Sequence, residues 1–478
     1  NIIRIPWRAK TPTLGSSSTN KFEGITDCYL SEDSAKVTRF VVRKASFNGR
    51  ILNGPAIGQV ALIGSDYHGL KPTMAVKEGD RVKLGQLLFT DKKNELAKFV
   101  APATGIITAI NRGERRVFQS LVIDVEGAEQ HQALPAFEAS TLQNLGRDAV
   151  RDHLVNTGLW ISLRTRPYSK IPSVDSVANS IFVTAMDTNP LSADPLVVIK
   201  NREDDFANGL KVLTNLTYGP INVCAAPNVD IPADEINGVR EVNFSGPHPA
   251  GLAGTHIHFV DPVSADKTVW VIGYQDVIGI GSLFTKGAID TSRVIALGGP
   301  QVNEPRLLTT RLGANINQLV IGELINNENR VISGSVLSGR KSSGEFAFLG
   351  RYHTQVSVIQ EGRDRQPLHY LRLGLDKHSA LPAFASSITK KLFNMTSSTN
   401  GSERAMVPVG GYEKVTALDI LPIQLLRSLI VGDTEMAQNL GCLELDEDDV
   451  GLYTYVCVGK HEYGGILRDN LTTIEKEG

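Results

Sequence analysis

A series of short apolar segments separated by glycine-centred turns, between residues 71 and 107, constrains the fold of this chain more than any other feature. Glu78-Gly79-Asp80 forms the first of these turns, and Gly85 marks the second. Glycine adopts positive φ at little steric cost, which suits tight turns between strands. Residues 99–107 repeat the strand–turn–strand pattern around Ala101-Pro102 and Gly105. Many short strands with such turns predict a small all-β sandwich or barrel.

The same turns also carry a recognisable motif. Residues 76–85 read V-x-EGD-x-V-x-x-G, and residues 101–105 read A-P-x-x-G. In this order they resemble the biotinyl/lipoyl-carrier fold, the barrel-sandwich hybrid. Lys92 falls where carrier domains place their modified lysine, so a lipoyl- or biotinyl-carrier component is one alternative function. We expect a solvated basic turn instead, because carrier-like folds are reused without the prosthetic group.

Length and composition are those of a globular protein. The chain has 478 residues, 41% of them apolar and 21% charged, which predicts about three domains. Its net charge of −2 argues against nucleic-acid binding, because phosphate neutralisation needs a basic surface. No segment approaches the roughly 18 consecutive apolar residues of a membrane span. If the protein works at a membrane, we expect partner subunits to hold it there.

The cysteines are scattered, at Cys28, Cys224, Cys442 and Cys457. None lies in a CxxC or CxxH pattern, so a cysteine-ligated cluster, a zinc site or a disulfide framework is not expected. We predict buried, reduced thiols.

The first fifty residues differ from the rest. They carry nine Lys/Arg against four Asp/Glu, include a polar run at 15–20, and lack an initiator Met. This composition fits the mature remainder of a processed organellar precursor, or a cloned start. Polar, Ser-rich composition alone predicts mobility, but apolar residues recur along the segment like anchors. We therefore predict an arm at residues 1–55 that is ordered by a partner.

Helices and strands alternate from about residue 140. The spacing predicts helices at 147–157 and 205–216, and strands at 180–185 and 221–224, as in a Rossmann-like α/β domain. Strands are predicted again at 269–272, 293–300 and 330–335. Near the C-terminus, Asp433 is a good N-cap for a helix that ends before Gly441. A last helix places four apolar side chains on one face, and these are Tyr463, Leu467, Leu471 and Ile474.

Several longer motifs resemble one family, the A subunits of the sodium-translocating NADH:quinone reductases. The resemblance runs from about residue 60 to the C-terminus and leaves out the first fifty-odd residues. The segments that carry it are Asp187-Thr188-Asn189-Pro190, residues 246–256, Leu349-Gly350-Arg351-Tyr352-His353, Phe393-Asn394-Met395-Thr396, residues 399–402, residues 443–447 and residues 474–478.

The resemblance implies a peripheral subunit of a membrane respiratory complex that oxidises NADH, reduces ubiquinone and exports sodium. It implies a position on the cytoplasmic face of a bacterial inner membrane, docked on the integral membrane B subunit, with a contribution to ubiquinone binding. The alternative is a repurposed accessory subunit on the matrix side of the mitochondrial inner membrane, without pump activity. The implied fold is similar to the flavin-binding subunit of complex I and to the C subunit of the Rnf complex.

Together these observations predict a multidomain α+β chain. The predicted parts are an N-terminal arm at 1–55, a barrel-sandwich-hybrid domain at 56–130, a Rossmann-like α/β domain at 131–265, a β-grasp-like domain at 266–360 and a C-terminal helical domain at 361–478.

We expect no flavin and no iron–sulfur cluster. Relatives with flavin hold the nucleotide on a Gly-rich loop, because only glycine lets backbone N–H groups approach phosphate closely. The comparable segment here, residues 164–172, contains two prolines and several long side chains. The polar loop at 394–402 contains no cysteine for a cluster. We identify no catalytic residue and predict no prosthetic group, with ubiquinone as the one candidate ligand.

Two segments are candidate quinone contacts. An aromatic–basic segment can stack on a quinone ring and donate to its carbonyl oxygens, and a second stretch matches the quinone region proposed for the family. The alternative interpretation is that both segments are ordinary loops that contact a neighbouring protein or lipid. The candidate residues are Trp160, Arg164, Arg166 and Tyr168 in the first segment and Tyr67, His68, Gly69 and Leu70 in the second.

Two polar clusters are weighed as metal sites and set aside. His248, His256 and His258 lack an acidic or cysteine neighbour in sequence, although we expect the last two to share one face of a strand. The acidic run at residues 446–449 is interpreted as a solvated helix start. We predict no metal site.

Overall fold

The computed structural model describes residues 2–4, 50–127, 134–233, 235–325, 328–363, 371, 373–375, 377–378, 384–388 and 393–477. Most of the predicted arm, including Cys28, lies outside the described residues. The strands are β1 (Ile2–Arg4), β2 (Ile51–Asn53), β3 (Gln59–Ile63), β4 (Pro72–Met74), β5 (Arg81–Val82), β6 (Leu87–Asp91), β7 (Asn94–Val100), β8 (Gly105–Arg112), β9 (Phe118–Val125), β10 (Arg164–Arg166), β11 (Ile181–Thr184), β12 (Ile221–Ala225), β13 (Val239–Ser245), β14 (Val269–Gly273), β15 (Ser292–Gly298), β16 (Arg306–Arg311), β17 (Asn329–Ser333), β18 (Arg340–Lys341) and β19 (Gln355–Gln360).

The α-helices lie between residues 147 and 477. They are α1 (Arg147–Asn156), α2 (Pro195–Ile199), α3 (Glu203–Leu213), α4 (Ala253–Val260), α5 (Tyr274–Lys286), α6 (Ile316–Leu319), α7 (Pro422–Val431), α8 (Thr434–Asn439), α9 (Gly451–Val456) and α10 (Tyr463–Glu477). Short 3-10 helices include Gly64–Asp66, Trp160–Ser162 and Cys442–Glu444.

Residues 59–125 form the predicted small β domain. A four-stranded sheet, β3-β9-β8-β5, packs with a three-stranded sheet, β4-β6-β7, around a core that contains Phe89 and Phe99. Gly79 has φ +89°, as the turn pattern predicted, and its N–H donates to the Ile107 carbonyl at 2.8 Å. Lys92 is exposed at the turn of the β6–β7 hairpin.

A six-stranded sheet with the order β1-β13-β12-β11-β14-β10 forms the centre of the molecule. Neighbouring strands are parallel, except that the edge strand β10 runs antiparallel to β14. The predicted helices at 147–157 and 205–216 are confirmed as α1 and α3. The sheet extends past the predicted border between residues 265 and 266, because β14 pairs with β11 along its length.

Glycines let two helices of this sheet cross closely. A Cβ on Gly281 of α5 would collide with the backbone carbonyl oxygen of Asp205, and a Cβ on Gly209 of α3 with that of Val277. The resulting contact buries Phe206 and Phe284 in the main apolar core. The absence of side chains at two positions thus sets the distance between α3 and α5.

A second six-stranded sheet has the order β18-β17-β19-β15-β16-β2 and mixed strand directions. Its edge strand β2 lies inside the predicted arm of residues 1–55 and pairs with β16. Beyond it, two of the predicted C-terminal features are confirmed. Asp433 caps α8 by accepting from Met436 N–H, and Gly441 follows with φ +94°. Helix α10 buries Tyr463, Leu467, Leu471 and Ile474 on one face, also as predicted.

Across the described residues, no helix combines the length and the apolarity that crossing a membrane requires. Cys224, Cys442 and Cys457 are buried free thiols, as predicted.

Candidate functional site

The two candidate quinone segments, far apart in sequence, meet the turn at residues 446–449 that precedes α9. His68 Nε2 lies 3.6 Å from Glu447 Oε1, and Arg164 lies 3.7 Å from Asp446 Oδ2. Arg166, which is 3% exposed, donates to Asp446 and Asp449 at 3.1 and 3.0 Å. The acidic turn therefore joins the β domain to the edge of the central sheet.

Asp446 is the centre of this ionic cluster. It accepts hydrogen bonds from Arg166, Arg468 and Ser169, and its side chain is 4% exposed. Burial alone would raise its pKa, but the charge of Arg166 and its other partners hold the pKa of Asp446 well below the usual range. The interpretation of residues 446–449 as a solvated helix start is wrong for Asp446 and Asp449, because arginines neutralise both carboxylates inside the fold.

The charges of His68 and Glu447 are both disfavoured at this cluster. Burial, and then Arg468, lower the pKa of His68 to about 4. Burial and the charge of Asp446 raise the pKa of Glu447 to about 7. The possible ligand atoms of His68, Asp446 and Glu447 lie within 4.8 Å of one another, close enough to share a cation. Arg468 donates to both carboxylates, however, so a metal ion would have to displace a guanidinium.

Arg164 differs from the other arginines of the cluster. Its guanidinium lies 4.4 Å from the centre of the Tyr352 ring, which it covers. Among the described residues its side chain donates no hydrogen bond, and the Asp446 carboxylate is 3.7 Å away. Tyr352 is held in turn by its hydroxyl, which donates to the Ile161 carbonyl at 2.8 Å. Arg164 is thus oriented by stacking and keeps N–H groups for another acceptor.

The remaining candidate residues divide into a buried and an accessible set. Trp160 is fully buried, and its indole N–H donates to the Pro172 carbonyl at 2.9 Å. Tyr67 is 6% exposed and packs edge-on against Phe99. The accessible set, called the candidate surface below, consists of His68, Gly69, Leu70, Arg164 and Tyr168.

A cavity that the sequence analysis missed lies at the carboxyl ends of β11 and β14, and it is called the crevice below. It measures about 150 Å³, and Arg164, Asp187, Gly273, Tyr274 and Tyr352 are among its lining residues. The signal was present, because Asp187-Thr188-Asn189-Pro190 directly follows a parallel strand, the position where open α/β sheets bind ligands.

Asp187 and Asp448 are the acids of the crevice lining that form no ion pair within the described residues, and Asp187 is the more buried of the two. Its carboxylate accepts from the backbone and side-chain N–H groups of Asn189 at 2.8 and 3.1 Å. No ion pair to Asp187 occurs within the described part of the chain. Burial raises the pKa of Asp187 to about 6, despite these hydrogen bonds. The two other buried carboxylates of the crevice are paired, Asp276 with Arg293 and Arg351 and Asp449 with Arg166.

The three histidines that were considered as metal ligands, His248, His256 and His258, do not meet at a common site. His256 and His258 lie on helix α4, so the expectation that they share one face of a strand is wrong, because residues two apart on a helix point about 200° apart. His256 Nε2 lies 3.0 Å from the Ala250 carbonyl oxygen, and His258 pairs with Glu444 at 2.5 Å. His248 contacts Thr188 at 3.3 Å. Each ring therefore has its own structural partner.

Comparisons with known proteins agree along the chain. Residues 44–126 match the family described as "NqrA N-terminal barrel-sandwich hybrid domain", residues 145–289 match "NqrA second alpha/beta domain", and residues 294–344 match "NQRA C-terminal domain". The chain is 60% identical over 429 residues to the A subunit of the Na(+)-translocating NADH-quinone reductase of Saccharophagus degradans, covering 90% of this chain and 96% of that protein. The A subunits of the same reductase from Pseudomonas aeruginosa and Neisseria meningitidis serogroup A are 58% and 55% identical, with the same coverage of each chain.

Proposed function

Because the chain belongs to the family of A subunits of Na(+)-translocating NADH-quinone reductases, we propose that it is a peripheral part of such a complex and takes part in ubiquinone binding. Its partners are then the other subunits of the reductase, with the integral membrane B subunit as the docking site at the cytoplasmic face. In this role the chain is a scaffold for the membrane partner and carries no prosthetic group. The bacterial relatives that bear the pump's name do not favour the alternative of a repurposed mitochondrial subunit.

The finer fold assignments belong to the same proposal. The parallel order β13-β12-β11-β14 supports a Rossmann-like assignment for the central sheet. We assign the second six-stranded sheet to a β-grasp-like domain, and helices α7 to α10 to a helical domain with its own apolar core.

One observation carries the quinone proposal: His68 and Arg164, one from each candidate segment, approach the same acidic turn from two different parts of the chain. The exposed residues of the candidate surface supply the contacts. Arg164 has N–H donors for a quinone carbonyl, and the Tyr168 ring is partly exposed for stacking. The buried candidates hold these groups in place; they are Tyr67, Trp160 and Arg166.

Photoaffinity labelling of the assembled complex tests the assignment. A photoreactive ubiquinone analogue is expected to label peptides that contain residues 67–70 and 160–168, and excess unreactive ubiquinone should protect them. Arg164→Gln should reduce the labelling several-fold, because a hydrogen bond from a charged donor contributes about 1.5–3 kcal/mol. Arg427→Gln, a change at an exposed arginine of α7, is the matched control and should leave it unchanged. Labelling confined to the C-terminal helices would refute the assignment, whereas no labelling would leave the scaffold role alone.

The carrier alternative rests on the exposed position of Lys92 in a hairpin turn. We expect the lysine to be unmodified, with its backbone N–H bound to the Lys71 carbonyl at 2.9 Å. The intact mass of the purified chain should therefore equal the mass of its amino-acid sequence, and its absorbance spectrum should show neither flavin nor iron. A mass increase equal to a lipoyl or biotinyl group on Lys92 would restore the carrier hypothesis.

A further inference from the structure

The crevice lies where the chain connections of the central sheet diverge. From β11 the chain moves to β12 and β13 on one side, and it then returns to β14 on the other side. The loops after β11 and β14 therefore separate above the sheet and leave a gap between them. In open α/β sheets this point, outside the carboxyl ends of the strands, is the usual place for a ligand.

Size and charge limit what the crevice can hold. Its volume, about 150 Å³, is near that of an engineered cavity in another protein that accepts benzene. Pockets for drug-sized ligands begin at about 300 Å³. Four arginines and four aspartates line the crevice, so no net positive charge remains for a pyrophosphate; they are Arg164, Arg166, Arg293 and Arg351, and Asp187, Asp276, Asp448 and Asp449. A single neutral ring with polar edges fits these limits better than a dinucleotide does.

We propose that the crevice receives the head group of the quinone, with Arg164 donating to a carbonyl oxygen and Asp187 accepting from a hydroxyl of the reduced form. This inference rests on the proposed function and names the place where the ring is held. Arg164 belongs both to the candidate surface and to the crevice lining, so a ring that enters past it stays within reach of its N–H groups. Stacking on Tyr352 holds the guanidinium plane in position.

Asp187 supplies the complementary acceptor. Both hydrogen bonds that it accepts from Asn189 go to Oδ1. The hydroxyl of the neighbouring Ser192 donates to the main-chain carbonyl of Asn189 at 2.9 Å. The Ser192 side chain also lies close enough to the Asp187 carboxylate to favour its charged form. A carboxylate has about four acceptor positions, so Asp187 keeps the capacity to accept from a donor inside the crevice. A quinol hydroxyl is such a donor and a quinone carbonyl is not, so Asp187 distinguishes the reduced from the oxidised ring.

Gly273 allows the crevice to be closed without disturbing the fold. It lines the cavity, and a Cβ built on it meets no atom within 4 Å. Its backbone has φ −80° and ψ 150°, a conformation that any L-residue adopts. A valine side chain at this position would therefore project into the open space that the ring needs. Gly465, exposed on α10 and also without neighbours within 4 Å, is the matched position outside the crevice.

The test is isothermal titration calorimetry, in which the full chain is titrated with ubiquinone-1 and, under nitrogen, with its reduced form. We expect one site, with the dissociation constant raised about tenfold or more by Gly273→Val and by Arg164→Gln, since about 1.4 kcal/mol is one factor of ten. Asp187→Asn should weaken binding of the reduced form more than that of the oxidised form. Gly465→Val and Arg427→Gln should bind as the unaltered chain does, and thermal melting of each variant checks that it is folded.

The possible negative results distinguish the crevice proposal from the proposed function. Ubiquinone-1 binding that survives Gly273→Val overturns the crevice proposal, as does absence of binding to the unaltered chain. In both cases the photolabelling of the assembled complex still decides the proposed function separately. If NADH binds instead, and Gly273→Val abolishes that binding, the crevice is a dinucleotide site and the quinone inference is wrong.

Discussion

Arg166 is the residue on which the junction between the central sheet and the C-terminal helices most depends. Its guanidinium is 3% exposed and neutralises two carboxylates that are each 4% exposed. Such a buried cluster gains little over an apolar replacement of the whole set, but it is costly to break from one side. Loss of the arginine would leave Asp446 and Asp449 charged or protonated within the fold.

We therefore predict that Arg166→Ala lowers the free energy of unfolding by about 3–5 kcal/mol. Urea denaturation followed by circular dichroism measures this change. Arg427→Ala, at an exposed position of α7, is the control and should stay within about 0.5 kcal/mol of the unaltered chain. A loss below about 1 kcal/mol for Arg166→Ala would mean that water or rearranged side chains compensate the two acids.

A second prediction concerns pH and His256. Burial lowers the pKa of His256 to about 4, so the folded chain binds fewer protons than the unfolded chain between pH 4 and 6.5. The contribution of the neutral His256 ring to the free energy of unfolding is complete above pH 6.5 and is lost as the pH falls towards 4. By linkage it reaches on the order of 3 kcal/mol. In His256→Gln, whose amide can still donate to the Ala250 carbonyl, the fall in stability between pH 7 and 5 should be smaller.

Denaturation of the unaltered chain and of His256→Gln at pH 7, 6 and 5 measures how the free energy of unfolding of each depends on pH. His248, whose pKa burial lowers to about 3, keeps part of the acid sensitivity in the variant. Equal pH slopes for the two chains would contradict the assignment to His256.

At the scale of elements, the crossing of α3 and α5 depends on where glycine occurs. Gly279 and Gly281 lie on the same helix, two residues apart, and both are buried. A Cβ on Gly281 meets the backbone of α3, whereas a Cβ on Gly279 meets no atom within 4 Å. The two positions therefore separate helix packing from helix propensity.

Gly281→Ala should destabilise the chain by about 1–3 kcal/mol, the usual cost of overpacking a closely packed core. Gly279→Ala is the matched control, and it should be neutral or stabilising by up to about 1 kcal/mol, because alanine restricts the unfolded chain. Thermal melting of both variants checks the prediction. Equal effects at the two positions would show that α5 can shift away from α3 at no cost.

At the scale of the whole molecule, one ionic cluster joins three parts of the chain. His68 comes from the β domain, Arg166 from the edge of the central sheet, and Arg468 from the last helix. These parts meet at Asp446 and Glu447, beside the candidate surface. A ligand or partner that binds there touches the junction of all three, which suits a protein that is expected to dock on others.

The N-terminal segment gives the prediction at this scale. Its described residues include β1, a three-residue edge strand of the central sheet that pairs with β13. Since a short edge strand contributes little core, deleting residues 1–50 should leave the melting of the free chain nearly unchanged. Co-purification with the other subunits should weaken, if the segment is a partner-anchored arm. Misfolding of the truncated chain on its own would show that the segment belongs to the core.

The sequence by itself determined the features that depend on neighbours a few residues away. The Gly79 turn, the Asp433 cap and the apolar face of α10 follow from backbone sterics and capping within one turn of chain. One candidate quinone segment was proposed from its residue types and the other from the family resemblance. That the two segments meet could not be predicted, because local rules carry no information about distant pairs.

Only the tertiary structure decided which charges are buried together and where the chain leaves a gap. Arg166 and Asp446 are 280 residues apart in sequence, and either side chain alone resembles an ordinary solvated charge. The crevice exists because β14 pairs on the far side of β11, and the order of strands depends on packing across the whole sheet. Burial and strand order arise from contacts between distant segments, so the ion pairs and the cavity become visible only when the chain is folded.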